Sequence, residues 1–108
     1  MKAFELPDLN PERDPGGHSY TDLLSSDLLS VGFAVWAADG VDAQSPHRED
    51  EVYHVVSGRG VIRVGLDDRP VGPGSVVFVA AGVEHRFHSI VEELRVLVFW
   101  APPHARVG

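Results

Sequence analysis

The sequence predicts an all-β fold, a small antiparallel barrel of the jelly-roll kind. Three observations predict it. Short Val-rich segments recur along the chain, and Gly, Pro, Asp or Ser interrupts them at even spacing. No stretch keeps apolar residues at helical intervals for more than a turn or two. Many short strands at even spacing, with Gly at the corners, favour an all-β barrel or sandwich over a βαβ layout.

Each element follows from its residues. Positions 1–17 hold Pro7, Pro11, Pro15 and the pair Gly16 and Gly17, so an irregular arm is expected there. The barrel domain is expected over 18–108. Asp22 to Leu29 reads either as a turn or two of helix or as an edge strand. Residues 30–37 read as a strand ended by the turn signal Asp39-Gly40. Strands are expected over 51–56, stopped by Ser57 and Gly58, and over 60–65, with a hairpin at Asp67 and Asp68. Brief strands over 69–71 and 76–79 follow, then 85–88 and 94–100. The tail after Trp100 carries Pro102 and Pro103 and is expected to fray. Residues 94–100 are apolar on both strand faces, whereas a solvated antiparallel strand alternates. An outer face is therefore expected to be covered, and a homodimer covers it most simply.

Composition bounds the function. The chain has 108 residues, 44% of them hydrophobic, which suits one domain with a real core. It has no cysteine, so disulfides, thiolate metal sites and thiol chemistry are excluded. A formal net charge of −7 repels phosphate backbones and argues against nucleic acid. No apolar run has the length of a membrane span, and the acidic, broken N-terminus does not read as a signal peptide. A cytoplasmic location is the expectation.

Two segments carry chemistry. The first places His47 four residues before Glu51, at the mouth of an apolar strand. The second, from Gly74 through Gly82, ends in His85. A strand that points Glu51 inward points Tyr53 and Val55 inward and Val52, His54 and Val56 outward. Phe87 shares the face of His85. Two imidazoles and a carboxylate are a ligand set for a divalent metal, with no thiolate to select among Fe, Mn, Ni, Zn and Cu. Taken singly, each of the three reads as a solvated loop-end residue; their combination favours a ligand set.

These segments resemble the paired motifs of the cupin superfamily. The first family motif reads His-x-His, three or four residues, Glu, six residues, Gly; here His47, Glu51 and Gly58 fit it, and Ser45 stands at the first His. The second reads Gly, five residues, Pro-x-Gly, two residues, His, three residues, Asn; here Gly74, Gly82 and His85 fit, with Ala80 for the Pro and Ser89 for the Asn. The resemblance covers roughly residues 30–100. It implies a small barrel holding a divalent metal through His47, Glu51 and His85. Gln44, through its amide oxygen, or a water would stand in for the absent His.

The function so implied is that of a metal-dependent enzyme on a small polar molecule. With Fe(II) it would be a dioxygenase-like oxidoreductase; with another divalent ion, an isomerase or lyase. The rival is a non-catalytic small-molecule-binding cupin, with or without metal. Tyr53 and Phe87 are the candidate pocket residues, with core packing as the alternative. Trp36 and Trp100 read as core or dimer interface. Glu49 and Asp50 read as a solvated acidic run, although Glu49 also has the position to support His47 from behind. His54 and His88 fall out of phase with the ligands. His18 and His104 lie near the chain ends and count only if an end folds over the mouth. Arg63 reads as an outward, solvated side chain.

Overall fold

The computed structural model describes residues 1–42 and 46–104. Gln44, Ser45 and the last four tail positions lie outside these described residues. The strands are β1 (His18–Ser25), β2 (Ser30–Trp36), β3 (Asp50–Val64), β4 (Asp67–Val71), β5 (Val76–Val79) and β6 (His85–Ala101). All pairings are antiparallel, in the order β1-β2-β6-β3-β4, with β5 also on β3. The sheet curls around one core without closing. A 3-10 turn over Leu6–Asp8 is the sole helical element among the described residues. Among the described residues no helix is long and apolar enough to cross a membrane.

The long hairpin of β3 and β6 makes the curl. Its first half, from Asp50, pairs with the end of β6 at Trp100 and Ala101, and its last half pairs with the start of β6 at His85. The register shifts three times between Val55 and Val61. Such bulges bend a strand and increase its twist. Gly58 permits the bend: it has φ of 93°, and a Cβ there would lie 2.0 Å from the Glu93 carbonyl oxygen. The expected break at Ser57 and Gly58 is therefore a bulge inside one strand, and residues 51–56 and 60–65 are a single β3. Residues 85–88 and 94–100 likewise belong to one β6, kinked where Ser89 has φ of 49°. Asp22 to Leu29 is the end of an edge strand, closed by a turn in which Ser26 N donates to Leu29 O.

Inward side chains of both bent strands and of β2 build the core, including Tyr53, Val55, Ile62, Phe87, Leu94 and Val96. The other face of β2 is buried too, through Val31, Phe33 and Val35. The N-terminal arm runs past this face: Phe4, Leu6 and Pro7 flank Phe33. Arg95 stacks over the Phe33 ring at 5.1 Å and donates to the Leu9 carbonyl at 2.5 Å. Arg13 pairs with Glu93. The arm is thus fastened at two points to β6.

Candidate metal centre and its cavity

Glu51 near the start of β3 and His85 at the start of β6 meet at one end of the hairpin, and His47 lies on the approach to β3. One ligand atom from each lies within 4.8 Å of the others. Two hydrogen bonds stitch the segments together. Gly82 N donates to His47 O at 2.6 Å, and Ala81 N donates to Asp50 Oδ1 at 2.9 Å. The turn entering β6 is so tied to the chain entering β3, which explains why a Gly and a His close in sequence work with a His and Glu far away.

The contact between His85 and Glu51 tests whether a cation fits. His85 Nδ1 is 2.8 Å from Val83 O, which can only accept, so Nδ1 carries a proton. Nε2 then points its lone pair, in the neutral ring, at Glu51 Oε1 3.0 Å away. Both side chains are 2% exposed, and neither atom has an aligned hydrogen-bond partner. Two facing acceptors buried without a proton between them repel; a cation turns the repulsion into attraction. Ligand bonds of about 2.1 Å place two ligands no more than roughly 4.2 Å apart, so the widest pair would need to draw in by about half an ångström. The donor set fits a first-row divalent metal.

Without a metal, a proton takes that place. Burial pushes the His85 pKa down, but Glu51 and the Val83 carbonyl push up harder, and the net shift is upward from 6.5. His47 moves the other way. Burial lowers its pKa, Glu51 only partly offsets this, and the neighbouring His85 and His104 lower it further. The two imidazoles thus differ in proton affinity although their rings are 5.2 Å apart.

A cavity of about 280 Å³ opens beside the three residues, with His47, Glu51 and Tyr53 in its wall. The remainder of the wall is mostly aromatic, with Tyr20, Trp36 and Trp100, and His18 and His104 beside them. Tyr20 comes from β1 and reaches Trp100 across β2, where its hydroxyl accepts from Trp100 Nε1 at 2.7 Å. Gly32 makes that crossing feasible, because a Cβ there would lie 2.0 Å from the Tyr20 oxygen. His104 stacks on Trp100 at 4.0 Å, and its Nδ1 lies 2.8 Å from Glu49 Oε1.

Comparison with known proteins fits this architecture. The Cupin domain family model matches residues 33–102. The chain belongs to the cupin family. Over 105 residues it is 49% identical to the uncharacterized protein SCO3923 of Streptomyces coelicolor, covering 97% of this chain and 100% of that protein. A 45-residue stretch, 38% of this cupin, is 42% identical to acireductone dioxygenase of Rhodopseudomonas palustris and covers 27% of that enzyme. The crystal structure of TT1209 from Thermus thermophilus superposes with a TM-score of 0.81 at 22% identity, covering 95% of this chain and 99% of that one. The architecture is the cupin jelly roll with its sheet left open.

Of the residues singled out in the sequence, this cupin brings His47, Glu51 and His85 together and places Tyr53 in the cavity wall. Phe87 sits behind the wall, packed on Trp36 at 4.8 Å and on Tyr53 at 4.9 Å. His54 is half-buried and pairs with Val76 and Leu97, away from the metal ligand candidates. His88 lies 2.8 Å from Asp68 Oδ1, and Arg63 donates to both Asp68 oxygens rather than standing free in solvent. These partners, Arg63 first, hold the Asp68 carboxyl well below the usual range.

Four readings change. Glu49 is 5% exposed and bonded to His104, so it is not part of a solvated run. His18 is the first residue of β1, stacked on Trp36 at 4.9 Å. His104 is docked, its N–H donating to Ser30 Oγ at 2.9 Å. Trp36 and Trp100 line the cavity as well as the core. The alternation of His18 with Tyr20 was a signal available in the sequence; nothing in the sequence located His104.

Proposed function

We propose that this cupin binds a divalent metal through His47, Glu51 and His85 and takes a small molecule in the adjoining cavity. The observation that carries the reading is the convergence of the three side chains: one ligand atom from each of His47, Glu51 and His85 lies within 4.8 Å of the others, with Glu51 and His85 buried. When bound, the metal would supply Lewis acidity or, as Fe(II), oxygen chemistry. The chain's own residues would do the rest. Val83 O fixes the His85 tautomer, the Ala81–Gly82 turn holds His47 in place, and the aromatic wall excludes water from the ligand positions left open. Gln44 or a water is the proposed fourth ligand in place of the absent His. Elemental analysis after reconstitution and dialysis tests the metal: about one ion per chain supports it, and a protein that retains none overturns it.

The two-His-one-carboxylate set and the local likeness to acireductone dioxygenase support a dioxygenase-like oxidoreductase. Ser45 at the first His position supports the second reading, a non-catalytic binding cupin. Oxygen consumption by the Fe(II)-loaded protein, screened over small phenols, enols and keto acids, separates them. Turnover with any of these establishes the enzyme, and saturable binding without turnover establishes the binder.

We also propose a homodimer. Phe78, Val76 and Phe99 are 61%, 68% and 40% exposed on the outer face, and Val52 pairs with both Phe78 and Phe99. An apolar strip across three adjacent strands is the kind of surface a second copy covers.

A further inference from the structure

We infer that Ser89 is a nucleophile that accepts an acyl group from activated esters, with His88 as its general base and Asp68 as the group that orients His88. This site is independent of the metal reading. His88 pairs with Val61 in the last half of β3, whereas Glu51 lies near its start. A chain of hydrogen bonds carries the inference. His88 Nε2 is 2.8 Å from Asp68 Oδ1, and His88 Nδ1 is 3.0 Å from Ser89 Oγ. Arg63 donates to both Asp68 oxygens, at 2.9 and 2.8 Å, and together with His88 keeps that carboxyl ionised. An ionised carboxylate only accepts, so Nε2 carries the ring proton. The neutral ring then has its lone pair on Nδ1, and the Ser89 hydroxyl donates to it. Hydroxyl, imidazole and carboxylate stand in the order of a catalytic triad, with the two ring nitrogens exchanged from their places in serine proteases.

The backbone is the second observation. Ser89 has φ of 49° and is exposed at the kink of β6. Adjacent side chains of a regular strand point to opposite faces; the kink instead turns Ser89 Oγ back onto the His88 ring. Non-glycine residues in this conformation gather at functional sites. The second motif of the family has Asn at this position, and Asn takes a positive φ more readily than Ser. Ser89 therefore keeps the strained backbone and brings a hydroxyl that Asn lacks.

The chemistry balances without any further reagent. Ser89 Oγ attacks the acyl carbon and its proton passes to His88 Nδ1. The acyl C–O bond to the leaving group breaks, and the departing oxygen takes up that proton. Water then cleaves the acyl-serine ester, with His88 taking a proton from the water and returning it to Ser89 Oγ. Asp68 stays ionised throughout and holds His88 in the tautomer that accepts from Ser89.

Reaction with p-nitrophenyl acetate tests the inference, with EDTA present to keep metal out and samples quenched in acid. Peptide mapping by mass spectrometry should find an acetyl group on Ser89, formed with release of nitrophenolate. Acetylation of Ser89 should slow about a hundredfold in His88→Gln, within the usual range for general-base help. It should slow roughly tenfold or more in Asp68→Asn and recover in part in Asp68→Glu. The nitrogen NMR shifts of the His88 ring should show the Nε2–H tautomer in the native chain and a mixture in Asp68→Asn. Ser89→Asn, which suits the backbone and removes the hydroxyl, should lose the acetyl group at this position with its urea stability kept. A native Ser89 acetylated no faster than the chain's other serines overturns the inference. So does a native rate in His88→Gln or Asp68→Asn. Nitrophenolate release unchanged in Ser89→Asn puts the reaction on another group and overturns it too.

Discussion

In the proposed site a proton and a metal would compete for one atom, His85 Nε2. Its folded pKa is raised, so in the metal-free protein its contribution to stability is fully present below about pH 6.5 and is lost as pH climbs through the raised value. His47 has a lowered pKa, so its protonation opposes folding at low pH, and it is already neutral where His85 still holds its proton. Zinc binding just above pH 6.5 should therefore displace one proton and not two. Apparent zinc affinity should rise about tenfold per pH unit there and level off above the His85 pKa. Calorimetry in two buffers of different ionisation enthalpy measures the proton count; a count of zero at pH 6.5, below the raised His85 pKa, would remove His85 from the ligand set. His47→Ala and His85→Ala should each abolish retained zinc, while His54→Ala should retain a full complement. Equal loss from all three would mean that the strand phase is misassigned.

At the level of elements, the bulge in β3 and the turn before β6 are what place the ligand candidates. Gly58→Ala puts a methyl group against the Glu93 carbonyl at a positive φ. It should cost about 2–4 kcal/mol in urea denaturation, far more than an exposed Gly-to-Ala change. Asp50→Ala removes the acceptor for Ala81 N, which lies on the surface, so stability should change little. Zinc affinity should nonetheless fall roughly tenfold, because the turn that carries Gly82 and His85 loses one of its two ties to the His47 segment. The strands themselves were legible from Val-rich runs and turn residues. Their continuity was not, because Ser57-Gly58 writes a turn and a bulge with the same letters. Whether the chain reverses or merely bends there depends on whether β6 keeps pairing on both sides.

Across the whole molecule, the outer strip of Val76, Phe78 and Phe99 should govern assembly. Light scattering after gel filtration should give a dimer mass for the native chain. It should give a monomer for Phe78→Glu combined with Phe99→Glu, with zinc uptake retained because these side chains face away from the cavity. A monomeric native chain would overturn the homodimer. Two-sided apolarity in residues 94–100 has a further cause that the sequence did not reveal. Part of the outer face, at Phe33 and Arg95, faces the N-terminal arm.

The sequence by itself determined the fold class, the family and the three candidate ligands. Those features depend on local alternation, turn chemistry and fixed spacings, all written within short stretches. Only the tertiary structure decided the cavity. Tyr20, Trp36, Trp100 and His104 lie far apart in sequence, and each alone reads as core or chain end. Register across four strands, a glycine gap at Gly32 and the docking of residues 102–104 bring them to one wall. These are long-range contacts set by packing, and no single segment encodes them.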